Sequence, residues 1–582
     1  INVMTLGGLA LAVGILVDDA TVTIESINYH LEQGKDIEQA IMDGSRQIVI
    51  PAFVSLTCIC IVFVPMFQLG GVAHYLFVPL AEAVVLAMTG SFILSRTLVP
   101  TLANYLLRGQ QAHGHEEGHG PAPRPRNPLV RFQRGFERRF DAVRERYRDG
   151  LSLVLANRLA FVAGFMVFVL ASFALAPWLG ENFFPDVDAG QILMHVRAQA
   201  GMRIEETARL CDEVEATVRK VIPPAELDNI VDNIGLPISG ISMAYNNTGT
   251  IGPEDADVLV SLKEGHRPTA AYIAELRRRL PQEFPGSGFA FLPADIITQV
   301  LNFGLPAPID LQVIGPDQEA NYQYTSRLLR ELRRVPGLVD LRIQQVFNAP
   351  QLKVDVSRTL AKQVGLSQRD VATNLLTTLA GSVQTNPSFW LNPANGVSYP
   401  VVVQMPQYRI DTMSDLESLP VSGAGSTQLL GALARISRQP TDGVVSHYSV
   451  EPVIDIYAGV QGRDLGAVSA DIRAVMARLY NQRPRGATPV LRGQVLTMNA
   501  AYDQLFFGLF GAIVLIYLVI VVNFQSWTDP FVIITALPAA LAGIMWMLFA
   551  SFTTLSVPAL TGAIMTMGVA TANSILVVSF AR

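Results

Sequence analysis

The sequence predicts a multi-pass α-helical membrane bundle interrupted by a large water-exposed α+β portion. Half of the 582 residues are hydrophobic and only 16% are charged, with a mean hydropathy of +0.33. That is too apolar for a soluble multidomain chain and too polar for a bundle alone. Apolar windows of spanning length, about 20 residues, recur at 3–24, 48–68, 75–106, 158–178, 502–522, 530–551 and 557–579. Between the fourth and fifth windows the pattern changes to short alternating strands and amphipathic helices.

The chain opens on Ile1 inside an apolar stretch and stops at Arg582 directly after another, so it reads as an internal fragment of a longer protein. A net charge of −6 gives no support for nucleic-acid binding. The three cysteines make no disulfide scaffold, since Cys58 and Cys60 lie in an apolar span and Cys211 stands alone. The third window carries Glu82 and Arg96 near its two ends, where snorkelling to the interface is the default expectation.

The connector after that window begins with a Gly-, His- and Pro-rich stretch, 109–128, which reads as a disordered linker. His113, His115 and His119 are expected to be part of that solvated linker rather than a metal site. From Leu129, an apolar stripe of Phe132, Phe136, Phe140, Val143, Tyr147 and Leu151 recurs at helical period, with arginines opposite. This is the pattern of a helix lying in the membrane surface. From Arg108 to Asp149 there are ten arginines, no lysine and six acids. The positive-inside rule therefore makes this loop cytoplasmic, along with 28–47, and puts 180–499 on the opposite side.

That outer portion starts with strand Gln191–Gln199 and helix Ile204–Val221, then strands Val231–Gly235 and Val258–Leu262. Helix Thr269–Leu280 and strand Phe289–Leu292 complete a β-α-β-β-α-β order, the split βαβ or ferredoxin-like unit. A second copy begins at Ile309–Ile314, with helix Asn321–Arg334 and strands Val339–Gln345 and Lys353–Val356. It resumes after an insertion with Val453–Ala458, helix Leu465–Leu479 and strand Thr488–Leu491.

The functional signal is Asp18–Asp19, in the middle of the first window. A carboxylate at the centre of a bilayer helix costs about 2.5–3.5 kcal/mol. Two side by side also repel, so at least one is expected to hold a proton near neutral pH, which is what a proton relay needs. The first and last windows align without gaps, Gly14–Ile24 over Gly568–Val578. Gly7, Ala10, Gly14 and Asp18 share one helical face; Gly562, Thr566, Ala570 and Asn573 share another. Small-residue stripes let helices approach closely, and such symmetry is common in secondary transporters. The expectation is that Asn573, Thr571 and Ser574 hydrogen-bond the aspartates.

Gly14-Ile-Leu-Val-Asp-Asp-Ala20, Phe63-Val-Pro-Met66 followed by Gly70-Gly71, Phe184-Pro-Asp-Val-Asp188, and Gly568 through Phe580 together resemble the resistance–nodulation–division (RND) efflux permeases. The nearest type is the hydrophobe/amphiphile efflux class, and the likeness runs from the fourth to the tenth transmembrane helix of twelve. The resemblance implies a proton-driven homotrimer in the bacterial inner membrane. It would export amphiphilic or hydrophobic small molecules through a periplasmic adaptor (membrane fusion) protein and an outer-membrane channel. Protons would be the coupling ion, with no cofactor, no metal and no enzymatic reaction.

The implied organisation is three spans in 1–107, a cytoplasmic linker and interfacial helix in 108–157, and a span in 158–180. A first periplasmic porter subdomain would occupy 181–300, and a second would be split between 301–360 and 450–498 around a docking subdomain at 361–449. The last three spans would occupy 499–582. By resemblance the proton relay is Asp18 and Asp19 with Asn573, Thr571 and Ser574. Ala572 departs from the family, many of whose members carry a lysine there as counter-ion. Either another basic group lies past Arg582, or the relay runs on hydrogen bonds alone. The substrate pocket would be walled by Ile238, Ile241, Met243, Tyr245, Leu259, Phe289 and Phe291, side chains equally suited to a sandwich core.

Two rival functions start from the same residues. A heavy-metal exporter of the same superfamily resembles a different first-helix motif and uses a methionine trio, whereas Met194, Met202 and Met243 are scattered here. An intramembrane aspartyl protease needs two aspartates flanking one water from separate helices. Adjacent residues of one helix point about 100° apart and cannot do this.

Overall fold

The computed structural model describes residues 2–114, 128–185, 187–237, 249–302, 304–423 and 426–581. The chain divides into two compact units. One contains 1–191, 291–342 and 455–582, and the other 192–290 and 343–454.

Among the described residues of the first unit, seven stretches are long and apolar enough to cross a membrane, one for each window. Helix α1 (Val3–Glu32) starts at a capping box in which Asn2 and Thr5 exchange backbone and side-chain hydrogen bonds, each 2.8 Å. It runs well past its apolar window, and Gly34, at φ 82°, turns the chain into α2 (Ile37–Val62). Pro65 has no N–H to offer the Ile61 carbonyl, so α2 ends and a short α3 (Val64–Phe67) follows. Helix α4 (Gly71–Gly114) continues past the expected boundary, so 109–114 extend a helix rather than begin a linker. His113 falls on that extension, while His115 and His119 lie outside the described residues. Helix α5 (Pro128–Ala156) leaves Phe136, Phe140, Val143, Tyr147 and Leu151 exposed, with the two phenylalanine rings stacked at 6.2 Å. A solvent-facing apolar stripe on an arginine-rich helix suits a membrane surface. Helix α6 (Arg158–Phe173) and the short α7 (Ala176–Leu179) complete the fourth span.

The second unit holds β1 (Gln191–Arg197), α8 (Ile204–Val221), β2 (Leu227–Ile234), β3 (Asp255–Leu262), α9 (Thr269–Glu283) and β4 (Gly288–Leu292). The strand order β2-β3-β1-β4 is that of the split βαβ unit. Period-two alternation sends Ile192, Met194, Val196, Ala256, Val258 and Val260 into one buried layer. Val214, Val218, Leu276 and Leu280 of the two helices are buried with them.

The same order recurs in β5 (Ile309–Ile314), α10 (Gln318–Leu332) and β6 (Leu338–Ile343), completed much later in the chain by two further strands and a helix. The strand β7 (Ala349–Val356), expected in this second copy through Lys353–Val356, is not part of it. It pairs residue for residue with a later strand, from Ala349↔Thr441 to Val356↔Ala434. Gln351, Lys353 and Asp355 leave β7 largely exposed, a composition unfit for a strand packed under helices. The insertion has its own core of Leu366, Val371, Leu416, Leu419, Leu430 and Leu433, beside α11 (Gln368–Ala380). It also projects a hairpin of β8 (Ser388–Leu391) and β9 (Ser398–Val401) with Phe389, Trp390, Leu391 and Tyr399 exposed. A smaller ribbon of β10 (Pro420–Ser422) and β11 (Thr427–Leu429) precedes β12 (Ala434–Thr441), the partner of β7.

Strands β13 (Ser446–Tyr448) and β14 (Glu451–Val460), helix α12 (Leu465–Leu479) and β15 (Thr488–Gly493) close the second sheet, where β6, β14, β5 and β15 lie in order. Gly493, at φ 82°, opens α13 (Gln494–Phe524), and a Cβ there would meet the Pro308 carbonyl at 2.5 Å. The sixth span is broken into α14 (Thr528–Ile534) and α15 (Ala536–Ala550) because Pro538 cannot bond the Ile534 carbonyl. Helix α16 (Val557–Ala581) ends the described chain.

Candidate functional site

The acidic doublet lies on α1, which packs chiefly against α4 and α2. Its buried face runs through Gly8, Ala12, Thr23, Ser26 and Ile27. A Cβ on Gly8 would stand 2.8 Å from the Leu80 carbonyl, so the closest approach of α1 and α4 requires glycine there. Further along, the Ser91 hydroxyl donates to Asp19 Oδ2 at 3.3 Å and Arg96 Nη1 donates to Thr23 Oγ1 at 3.0 Å. Ile27 and Ala103 then share a buried cluster with Ile37 and Ile41. The two helices are thus parallel, in a steady register from Gly8 to Thr23. At the α2 crossing, a Cβ on Gly44 would meet Ile27 N at 3.0 Å, and Ser26 donates to the Gly44 carbonyl.

This corrects the expected packing face. Gly7, Gly14 and Gly562 have nothing within 4 Å of a Cβ among the described residues. The stripe through Gly8 and Thr23 is turned by one residue, about 100°, and Gly8 is the one glycine among Gly8, Ala12, Thr23, Ser26 and Ile27. Asp19 is half-buried on that side; Asp18 is helical and its side chain lies outside the described residues. On α16, Thr571 is fully buried and its hydroxyl donates to the Met567 carbonyl at 2.8 Å. Ala572 is buried, Asn573 exposed and Ser574 half-buried. Both α1 and α16 pack on α2, and a Cβ on Gly568 would stand 3.5 Å from the Val62 side chain of α2. Ser91, a residue the sequence reading passed over, brings a hydroxyl to the aspartate. The polar positions Thr23, Ser26, Ser91 and Ser95, recurring at helical spacing in otherwise apolar spans, were the available signal.

Of the expected pocket residues, Ile238, Ile241, Met243 and Tyr245 lie outside the described residues. Leu259 is half-buried on β3 opposite Val231, and Phe289 is half-buried on β4 with its ring 6.2 Å from Phe284. Phe291, also half-buried, donates its backbone N–H to Asp340. The sheet face that bears Leu259 also carries a network the sequence reading missed. Arg197 grips Asp255 with Nε at 2.7 Å and Nη2 at 3.1 Å. His195 Nδ1 lies 2.9 Å from Asp257 Oδ1, and Thr250 donates to the other oxygen of Asp257 at 3.0 Å. His195, Asp255 and Asp257 are buried, so their polar atoms require these partners. Polar side chains at i and i+2 of two strands, His195/Arg197 and Asp255/Asp257, mark it in the sequence.

In the second sheet Asp310 and Asp455 are buried on adjacent strands, with Gln312 donating to Asp310 at 2.8 Å. Burial first, and then the neighbouring Asp455 carboxylate, push Asp310 above the usual carboxylate range. Among the described residues no group of three His, Cys, Asp or Glu side chains is placed to hold a metal ion.

Seven apolar spans among the described residues, an acidic doublet within one of them and two sheets of identical strand order define a polytopic membrane protein with a paired α+β portion. The chain belongs to the AcrB/AcrD/AcrF family of RND efflux permeases, which it matches over residues 1–582. It is 26% identical to the multidrug resistance protein MdtC of Klebsiella pneumoniae subsp. pneumoniae, covering 100% of this chain and 53% of the relative. It is 24% identical to the cobalt-zinc-cadmium resistance protein CzcA of Cupriavidus metallidurans, over the same shares. A crystal structure of a heavy metal efflux pump superposes with a TM-score of 0.74 at 22% identity, covering 100% of this chain and 54% of that one, a likeness of fold. The chain thus spans about half the length of the curated relatives it matches.

Proposed function

We propose that the chain forms the proton-coupling portion of an RND permease that exports amphiphilic or hydrophobic small molecules. The observation that carries this is Asp19, a half-buried carboxylate inside an apolar span, adjoining Asp18 and hydrogen-bonded to Ser91. A charge there is costly enough to mark function. Proton uptake by Asp18 and Asp19 would change their hydrogen bonding and shift the helices they touch, with Thr571, Asn573 and Ser574 as relay members on α16. That shift would be passed to the two sheet units, whose clefts open and close in turn. Leu259, Phe289 and Phe291, with Ile238, Ile241, Met243 and Tyr245, would wall the substrate site. The working assembly would be a homotrimer in the inner membrane, joined to a periplasmic adaptor and an outer-membrane channel. No cofactor is required beyond the coupling proton.

Replacing Asp18 or Asp19 by Asn in the full-length protein is expected to abolish resistance to amphiphilic drugs in a pump-deficient host, with membrane expression unchanged. Full resistance in both variants would reject the role.

A second reading, export of heavy-metal cations, draws on relatives such as CzcA and the heavy metal efflux pump of similar fold. Against it, Met194 is buried in the layer shared with the helices of its sheet, leaving Met202 and Met243 without that partner for a thioether site. Growth on graded cobalt, zinc, cadmium, copper and silver salts, beside a panel of detergents and dyes, separates the two. Protection against metals alone would favour the second.

A further inference from the structure

Position 572 holds alanine, and the acidic doublet therefore lacks a cation from α16. The sequence reading placed Arg96 at the end of its span with its head reaching for the interface. The structure places it otherwise. Arg96 is half-buried, and its Nη1 donates to Thr23, one helical turn from Asp19. Thr23 in turn donates to the Asp19 carbonyl at 2.8 Å. The guanidinium lies over the Phe92 ring, 5.5 Å from its centroid, and Phe92 packs on Phe53 of α2 at 5.9 Å. Its Nε is buried with no acceptor among the described residues, and Thr23 and Asp19, four residues apart, lie on the same face of α1. A snorkelling arginine directs its head to water. This one is held inward by a hydroxyl and an aromatic face, beside the acid.

We infer that Arg96 is the counter-cation of Asp19, supplying from α4 the positive charge that position 572 lacks. This rests on the proton-coupling reading above. Arg96 is a positioning residue: its fixed charge favours the ionised carboxylate and so sets the pH at which Asp19 exchanges its proton. The other charged groups of the packed elements are few. Asp18 and Glu25 lie on α1 itself, and Glu82 on α4 is exposed, more than two turns before Ser91. Helix α2, which packs on both, carries no charged side chain between Arg46 and Cys58.

The test uses the full-length protein in membrane vesicles. Protonated Asp19 is labelled with a hydrophobic carbodiimide across a pH series, and the modified peptide is quantified by mass spectrometry, which separates Asp18 from Asp19. In Arg96→Gln the midpoint is expected to rise by at least one pH unit, a tenfold gain in proton affinity. Arg96→Lys should stay near wild type. Thr23→Val, which removes the anchor but keeps the side-chain shape, should shift the midpoint the same way by less, and it serves if Arg96→Gln fails to assemble. A wild-type midpoint in both Arg96→Gln and Thr23→Val overturns the inference. If Asp19→Asn has meanwhile lost efflux, the coupling reading survives that result. Full efflux by both Asp18→Asn and Asp19→Asn would instead sink the coupling reading itself.

Discussion

At the scale of single residues, the acids were legible and their partners were not. Asp18 and Asp19 stand out because nothing else in their apolar window is charged. Ser91 and Thr23 carry no such contrast, and Arg96 reads as an interfacial residue; Ser91 and Arg96 lie some seventy positions further along a different span, so only the fold brings them to Asp19 and Thr23. Outside the membrane, Asp310 offers a test of burial. Between the usual carboxylate range and its raised folded value, the native protein keeps a proton that the unfolded chain has released. Stability therefore falls as pH rises through that interval. Asp310→Asn should flatten this dependence and raise Tm above wild type at mildly alkaline pH, as read by thermal unfolding of the detergent-purified protein. Cys211 tests the same physics with a thiol. It is fully buried, and burial pushes it up to about 12. It should resist iodoacetamide at mildly alkaline pH until the protein is unfolded.

At the scale of elements, the spans and the helices of both sheet units followed from periodicity, and the errors came where pairing is non-local. Lys353–Val356 reads as a strand in any context, and nothing local says that its partner is Ala434–Thr441 rather than the sheet just completed. The face of α1 was misread by one residue for a related reason. Glycine spacing favoured Gly7 and Gly14, while the actual crossing uses Gly8 with Ala12 and Thr23. Gly8→Val should separate α1 from α4, because its side chain would collide with the Leu80 carbonyl and Ala83. Overpacking of this kind costs about 1–3 kcal/mol, and a lowered Tm of the purified protein would report it. Gly7→Val, whose added side chain meets nothing among the described residues, should be near neutral in the same measurement.

At the scale of the whole molecule, two copies of one strand order, the second split by an insertion, were readable because βαβ units keep their helix and strand lengths. The residues that would distinguish substrates were less so. Four of the seven lie outside the described structure, and the half-buried Leu259 and Phe289 suit a pocket wall and a core equally well. Within the proposed homotrimer, the exposed Phe389–Trp390–Leu391 edge of the β8–β9 hairpin, continued by Val397, Tyr399 and Val401 on the partner strand and its approach, is a large apolar surface. Trp390→Asp is expected to move the detergent-solubilised, full-length protein from trimer toward monomer in native mass spectrometry, leaving its secondary structure intact.

The parallel pairing of α1 with α4 has a mechanical consequence. Gly8 on Leu80, Asp19 on Ser91 and Thr23 on Arg96 fasten the two rods at three heights. Sliding one along the other would unfasten all three together, so any stroke begun at the carboxylate must carry both rods as a single lever.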